Sequence, residues 1–127
     1  MSKAAQVKAP WLNSRDPEVP ATLNYSTLSM CSRVEEMVRR YPDYIAYEFM
    51  GKKTTFAQFM QKIDNVARAF LALGIHKGDR VTICMPNCPQ ALHAFYGLNR
   101  IGAVSNMIHP LSAAGEIRFY LNFSHSK

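Results

Sequence analysis

The chain has 127 residues, of which 48% are hydrophobic and 19% charged, and this is the size and composition of one globular domain rather than a disordered or collagen-like chain. Its longest apolar stretch, near residues 69–73, is far shorter than the roughly 20 residues of a transmembrane helix, and its first residues lack the apolar core of a signal peptide, so a cytoplasmic protein is expected. The net charge of +6 arises from scattered Lys and Arg without interleaved aromatic residues, which argues against nucleic-acid binding.

An N-terminal arm is predicted over residues 1–24, with the folded part of the chain spanning residues 25–127. The arm has mixed charge and no periodic apolar pattern, and it contains three prolines, Pro10, Pro17 and Pro20. Such a segment is typical of a strap that lies on a surface or of a mobile linker.

A first helix is predicted to follow Tyr25. Ser26 or Ser32 is expected to cap its start, and Pro42 is expected to end it. The evidence is an apolar period of three and four residues, formed by Leu28, Cys31, Val34, Val38 and Tyr41.

A hairpin and a long helix are predicted next. The β-rich run of residues 43–50 is followed by a turn at Gly51–Lys52 and a short return strand. Thr55 then has the capping-box spacing to Gln58, and Gly74 occupies the position of a left-handed helix stop. Between these ends lies a continuous apolar stripe: Phe56, Phe59, Met60, Ile63, Val66, Ala67, Phe70 and Leu71.

The second half of the chain is predicted to alternate strands and helices. Strands are expected at Arg80–Met85 and Ala103–Ile108, and a last amphipathic helix at residues 115–123. The helix between the two strands is expected to begin with a second capping box, formed by Asn87 and Gln90 around a proline.

The predicted order is helix, hairpin, helix, strand, helix, strand, helix, which defines an α/β fold. Strands that alternate with helices through short connections call for right-handed crossovers and a parallel sheet. A parallel sheet normally has more than two strands and is covered on both faces. We therefore expect an incomplete parallel-sheet layer that belongs to a larger domain.

The three cysteines, Cys31, Cys84 and Cys88, are too few and too scattered for a disulfide framework, and they suit a reducing compartment. Cys84, Cys88 and His93 raise the question of a metal site. They are expected on a strand, at a helix start and inside that helix, and no second pair at zinc-ligand spacing accompanies them. No metal site is predicted.

Five short motifs follow one another along the rest of the chain: Thr55–Phe59, Leu73–Val81, Pro86–Gln90, Gly97–Pro110 and Glu116–Ile117. They resemble, in the same order, a Thr/Ser-aromatic-x-Glu-Leu helix start, an LG(V/I)xKGDRV turn, a PN(S/C)xE helix start, an LKAGAVxxPLNP segment and an EL pair. Residues 43–127 are thus similar to the beginning of the adenylate-forming AMP-dependent acyl-CoA synthetases and ligases. The departures are Gln58, Phe59, Ile101, Met107 and His109, where the family commonly has Glu, Leu, Ala, Pro and Asn.

The resemblance implies the N-terminal subdomain of an enzyme that converts a carboxylate and ATP to an acyl-adenylate and then to a CoA thioester. ATP, Mg²⁺ and CoA are then the cofactors of the whole enzyme, and a fatty-acid or related acyl-CoA ligase is favoured over an aryl ligase or a peptide-synthetase adenylation domain. The family's phosphate-binding loop, adenine-contacting motif, ribose-binding Asp and catalytic Lys come later in its sequences and have no counterpart here. This chain alone is therefore expected to contain no catalytic residue and to need the rest of the adenylating domain as its partner.

Asn87 and His109 are the candidate substrate-binding residues, because they follow the carboxyl ends of the two predicted parallel strands. Asn87 is more simply interpreted as a helix cap, and His109, beside Pro110, as a turn residue.

Two further hypotheses stay open at this point. The chain is alternatively a non-enzymatic interaction module that self-associates, since an incomplete sheet leaves unpaired edges through which homo-oligomers form. A flavodoxin-like receiver domain is disfavoured, because no acidic cluster follows a first strand.

Overall fold

The computed structural model describes residues 10–127. It contains the predicted helices and strands in the predicted order. A 3₁₀ helix at Pro10–Ser14 precedes them, within the predicted arm, and buries none of its residues. The helices are α1 (Met30–Arg40), α2 (Phe56–Ala72), α3 (Pro89–Arg100) and α4 (Ala114–Ser124), and the strands are β1 (Ile45–Phe49), β2 (Lys52–Thr55), β3 (Arg80–Cys84) and β4 (Val104–Ile108).

Helix α1 begins later than its apolar period suggested. Its N-cap is Ser29, whose hydroxyl accepts the N–H of Ser32, so the prediction that Ser26 or Ser32 caps the helix is wrong. Ser26 instead accepts the N–H of Leu28 in a turn before the helix. A short hydroxyl side chain serves a local turn as well as a cap, which explains why spacing alone did not separate the three serines.

The hairpin between β1 and β2 turns one residue earlier than predicted, at Met50–Gly51. Both residues have positive φ, 49° and 77°, and Phe49 pairs directly with Lys52. A two-residue turn of this kind matches the right-handed twist of the paired strands, and glycine accommodates its second position without strain.

Helix α2 has both predicted ends. The Thr55 side chain accepts the N–H of Gln58 at 3.3 Å, and the Gln58 side chain accepts the N–H of Thr55 at 3.1 Å, which forms a complete capping box. Gly74 has a φ of 80° just past the helix, as expected of a left-handed stop.

Two separate two-stranded sheets confirm the incomplete parallel layer. β1 and β2 are antiparallel, whereas β3 and β4 are parallel and pair from Arg80 with Val104 to Cys84 with Ile108. The core has two clusters. One lies between the β3–β4 sheet and α3 and consists of Ile75, Ile83, Ala91, Leu98 and Ala103. The other joins α1, α2 and α3 and consists of Cys31, Val34, Phe59 and Ile63.

Arg100, at the end of α3, ties the three helices together at the surface. Its guanidinium forms ion pairs with Glu35 of α1 and with Asp64 of α2, the latter with a nitrogen–oxygen distance of 3.0 Å. Glu35 and Arg100 are 65 residues apart in the chain, so this pair forms only in the folded structure.

Helix α4 is attached to the rest of the fold mainly through polar groups, and it contains no buried residue. Thr82 of β3 and Asn106 of β4 share hydrogen bonds with Ser124 and Ser126 at 2.7–3.1 Å. The ammonium of Lys127 donates to the Asp79 carboxylate at 2.8 Å. Because hydrogen bonds and an ion pair replace apolar packing here, we expect this attachment to depend on charge.

Replacing Asp79 by Asn is expected to lower the stability at neutral pH and to change its dependence on pH. Hydrogen bonds from Lys127 and from the backbone N–H of His76 lower the pKa of Asp79 below its ordinary value of 3.8. A carboxyl whose pKa is lowered by folding stabilises the fold above its unfolded-state pKa, and this contribution is lost as the pH falls through the folded-state pKa.

The difference in stability between wild type and Asp79→Asn should therefore be full at pH 7 and shrink once the pH falls below 3.8. Urea unfolding at a series of pH values measures it, with Asp43→Asn as the control, since Asp43 forms no ion pair within the described part of the chain. A difference that persists unchanged in strong acid would contradict the assignment to the carboxylate.

Between Pro10 and Lys127, none of the helices combines the length and the apolar character that a membrane crossing requires.

Candidate functional site

The carboxyl ends of β3 and β4 meet at one edge of the parallel sheet, where Cys84 pairs with Ile108. The Cys84 thiol lies 3.9 Å from the backbone carbonyl of His109, to which it donates. Ligands of open α/β sheets bind beyond this edge, so the segments that follow the two strands form the candidate site.

Asn87 does not cap α3, and the prediction of a capping box with Gln90 is wrong. Cys88 is the N-cap, with extended backbone angles of −141° and 162°, and no side chain caps the helix. The cause lies in the sequence, because Pro89 at the first helical position forces the residue before it into the extended region. Asn87 is thus one residue too early to reach the helix N–H groups, and its exposed side chain is available at the sheet edge.

An open groove of about 330 Å³ lies beside Asn87. Its walls come from the hairpin, from the start of α3 and from the end of β4, and they are predominantly apolar. The lining residues are Tyr47, Glu48, Phe49, Asn87, Cys88, Pro89, Ala91, Leu92, Phe95 and Met107. Asn87 and Glu48 are polar residues of this lining, so the groove suits an apolar group that carries a hydrogen-bonding end.

His109 lies outside this groove. Its Nδ1 accepts the N–H of Leu111 at 3.2 Å, and its carbonyl accepts the N–H of Ser112, so both groups stabilise the turn that leads to α4. The structure therefore brings Asn87 and Met107 together at the groove, and it places His109 in the turn that the sequence also suggested.

A second site was not anticipated from the sequence. The phenol of Tyr47 and Nε2 of His93 are 2.8 Å apart and share a hydrogen bond, although 46 residues separate them in the chain. The ring of Phe59 lies against both, with centroid distances of 5.4 Å to Tyr47 and 5.9 Å to His93. Burial lowers the pKa of His93, and the nearby Lys62 ammonium lowers it further. Nothing in the local pattern distinguishes His93 from other polar residues of an amphipathic helix.

The thiol of Cys31 is not placed to react as a nucleophile. Cys31 lies on the buried face of α1, where desolvation raises the pKa of its thiol, so the reactive thiolate is disfavoured. All three cysteines are free, and residues 10–127 contain no group of three or more His, Cys, Asp or Glu side chains that is placed to hold a metal ion.

Comparison with known proteins relates this arrangement to one family. The pattern of the AMP-binding enzyme family matches residues 34–127, which is most of the chain. The long-chain-fatty-acid–CoA ligase of Escherichia coli is 36% identical over 124 residues, a match that covers 93% of this chain and 21% of the ligase. A fatty acyl CoA synthetase structure from Mycobacterium tuberculosis is 34% identical, with a TM-score of 0.75 over 78% of this chain and 20% of the other.

A more distant structure has the same fold. The fused adenylation–PCP di-domain NpsA-ThdA from Klebsiella oxytoca matches with a TM-score of 0.77 at 23% identity, and the match covers 81% of this chain and 20% of that protein. The chain belongs to the AMP-binding enzyme family, and its fold is that of the N-terminal subdomain of adenylate-forming enzymes. It spans about a fifth of the length of the curated relatives that it matches.

Proposed function

We propose that the chain is a scaffold layer in the adenylating domain of an AMP-forming acyl-CoA ligase that acts on a fatty acid or a related carboxylate. The observation that carries this proposal is the 36% identity to a long-chain-fatty-acid–CoA ligase along 93% of the chain. In the proposed reaction, the carboxylate attacks the α-phosphorus of ATP and pyrophosphate leaves. The CoA thiol then attacks the acyl carbon of the adenylate, and AMP leaves. We also propose a cytoplasmic location. Three free thiols support this location, because the cytosol keeps thiols reduced.

The described residues do not fit ATP and Mg²⁺, so no step of this reaction is assigned to them. Transfer at phosphorus needs oxygen ligands for Mg²⁺ and cationic or N–H donors around the phosphates. Within residues 10–127 no carboxylate cluster is placed for the metal, and the sequence has no Gly-x-x-x-x-Gly-Lys loop. We infer that the chain on its own is not catalytic.

Its proposed partner is the rest of an adenylating domain, which would cover the outer side of α4. Large apolar side chains of this helix are exposed, among them Phe119 at 58%, Tyr120 at 39% and Phe123 at 76%. Apolar side chains grouped in this way favour burial against another protein surface. The residues that supply the nucleotide site would then come from that partner.

Two parallel assays test the proposal. The full chain, incubated with ATP, Mg²⁺, CoA and a panel of fatty acids, should release no pyrophosphate. A chimera in which this chain replaces the matching segment of the E. coli ligase should release it, whereas the ligase without that segment should not. Release by the chain alone would contradict the inferred inactivity. A folded chimera that releases none would contradict the scaffold role.

A further inference from the structure

Beside the Tyr47–His93 pair lies a cavity of about 210 Å³ with basic side chains in its lining. Lys52 of β2, Lys62 of α2 and His93 of α3 contribute to its lining, and we refer to these three residues as the basic cluster. They come from three different elements, so they meet only because the hairpin packs against α2 and α3. The cavity is larger than a phosphate ion and leaves room for bound water.

The charges of the basic cluster are not balanced by the protein. Lys52 and Lys62 form no ion pair with any carboxylate among the described residues. Other exposed cations such as Lys77 and Arg118 also form none, and the two lysines are distinguished by lining one cavity together. Along β2 the two neighbours differ sharply, because Lys53 pairs with Glu48 across the hairpin while Lys52 lines the cavity. Two lysines that line one cavity and have no carboxylate partner favour the binding of an anion there.

Neutral donors complete the arrangement. The Tyr47 hydroxyl lies 2.8 Å from His93 and lines the same cavity, as does Thr54, a residue that is only 4% exposed. A carboxylate is satisfied by two or three donors, whereas a phosphate group has more oxygens to satisfy and a higher charge. Two lysines, an imidazole and hydroxyl groups match the phosphate better.

We propose that the basic cluster binds a small soluble phosphate-bearing anion, in a cavity that adjoins the candidate groove and shares Tyr47, Phe49 and Pro89 with it. Lys52 and Lys62 supply the charge, and the hydrogen-bonded Tyr47–His93 pair supplies one remaining N–H or O–H donor. This site does not depend on the proposed ligase function, because it is built from the contacts of this chain alone.

The pKa of the His93 imidazole reports whether an anion is bound. The Lys62 ammonium contributes to the lowered pKa of His93, so an anion that neutralises this ammonium should raise the pKa of the imidazole. We expect the NMR titration of the His93 ring in the full chain to shift to higher pH when inorganic phosphate is added. Glycerol 3-phosphate should produce the same shift, whereas sodium acetate and sodium chloride at equal ionic strength should not.

Substitutions distinguish a specific phosphate site from non-specific attraction to positive charge. Lys52→Met and Lys62→Met should each weaken phosphate binding by about tenfold, since each removes one of the two charges that the anion contacts. Lys53→Met removes the same charge from the adjacent position of β2, and its affinity for phosphate should equal that of the wild type. All three side chains are exposed on the surface, so the fold should tolerate these changes.

Three results would overturn the proposal. One is a His93 titration that phosphate leaves unchanged, and another is a shift that acetate or chloride reproduces. The third is an equal loss of affinity in Lys53→Met and Lys52→Met, which would indicate non-specific attraction to the hairpin.

Discussion

Replacement of Leu98 by Ala is expected to lower the free energy of unfolding by about 2–5 kcal/mol, as for other large-to-small changes in a packed core. Leu98 of α3 has no exposed surface, and it lies in the cluster that joins α3 to the parallel sheet. Ile83 of β3 and Ala103, just before β4, belong to the same cluster, so a cavity at Leu98 would loosen the contact between the sheet and α3.

The matched control is Leu111→Ala, because Leu111 is 86% exposed in the turn before α4. Leu111→Ala removes the same atoms as Leu98→Ala, but from a side chain that is exposed to water. The free energy of unfolding should therefore change by no more than about 0.5 kcal/mol. Equilibrium unfolding in urea, followed by circular dichroism, measures both. If the two variants lost equal stability, Leu98 would not be a core residue of the folded chain.

The second large effect is expected at Gly97, where α3 makes a close approach to α2. A Cβ atom at this position would lie 2.9 Å from Cγ1 of Val66 and 3.3 Å from the backbone nitrogen of Ala67. The Val66 side chain can rotate, but the Ala67 nitrogen moves only with the whole helix. Overpacking of this kind costs about 1–3 kcal/mol, and it should exceed the gain of about 0.5–1 kcal/mol that alanine brings to a helix.

Gly115→Ala is the control for Gly97→Ala. A Cβ atom at Gly115 of α4 meets no atom within 4 Å, so only the helix-forming preference changes. We expect this variant to be more stable than the wild type by up to about 1 kcal/mol. Thermal unfolding of the two variants distinguishes the effects by sign, and a stabilised Gly97→Ala would show that the two helices do not pack closely at this point.

Features that depend on neighbouring residues were predicted well. The capping box of Thr55 and Gln58, the stop at Gly74 and the proline at the start of α3 each involve positions no more than four residues apart. The errors in local structure are also small in extent. The cap of α1 moved to Ser29, because three serines spaced three residues apart competed for this position. The cap of α3 moved by one residue, and the restriction that Pro89 places on Cys88 would have identified it.

The resemblance to adenylate-forming enzymes was also read from the sequence and is confirmed by the match over residues 34–127. Its basis is several motifs in a fixed order, so single departures such as Gln58 did not obscure it. The positions of Asn87 and His109 relative to the groove were harder to predict from the sequence. Whether a residue at a strand end faces a groove depends on how the hairpin packs across the edge of the sheet, and no local pattern records this packing.

By itself, the sequence determined the order of the helices and strands, most of their ends, the incomplete parallel sheet and the family. Hydrogen bonds between near neighbours and apolar periodicity fix these features, and both are visible in the order of residues. The tertiary structure alone brought Lys52, Lys62 and His93 to one cavity and directed Arg100 to two other helices. These groups are far apart in the chain and meet only when α1, α2, α3 and the hairpin bury their apolar faces against one another. Packing also decides which cations meet a carboxylate, as Lys53 does, and which line a cavity, as Lys52 does.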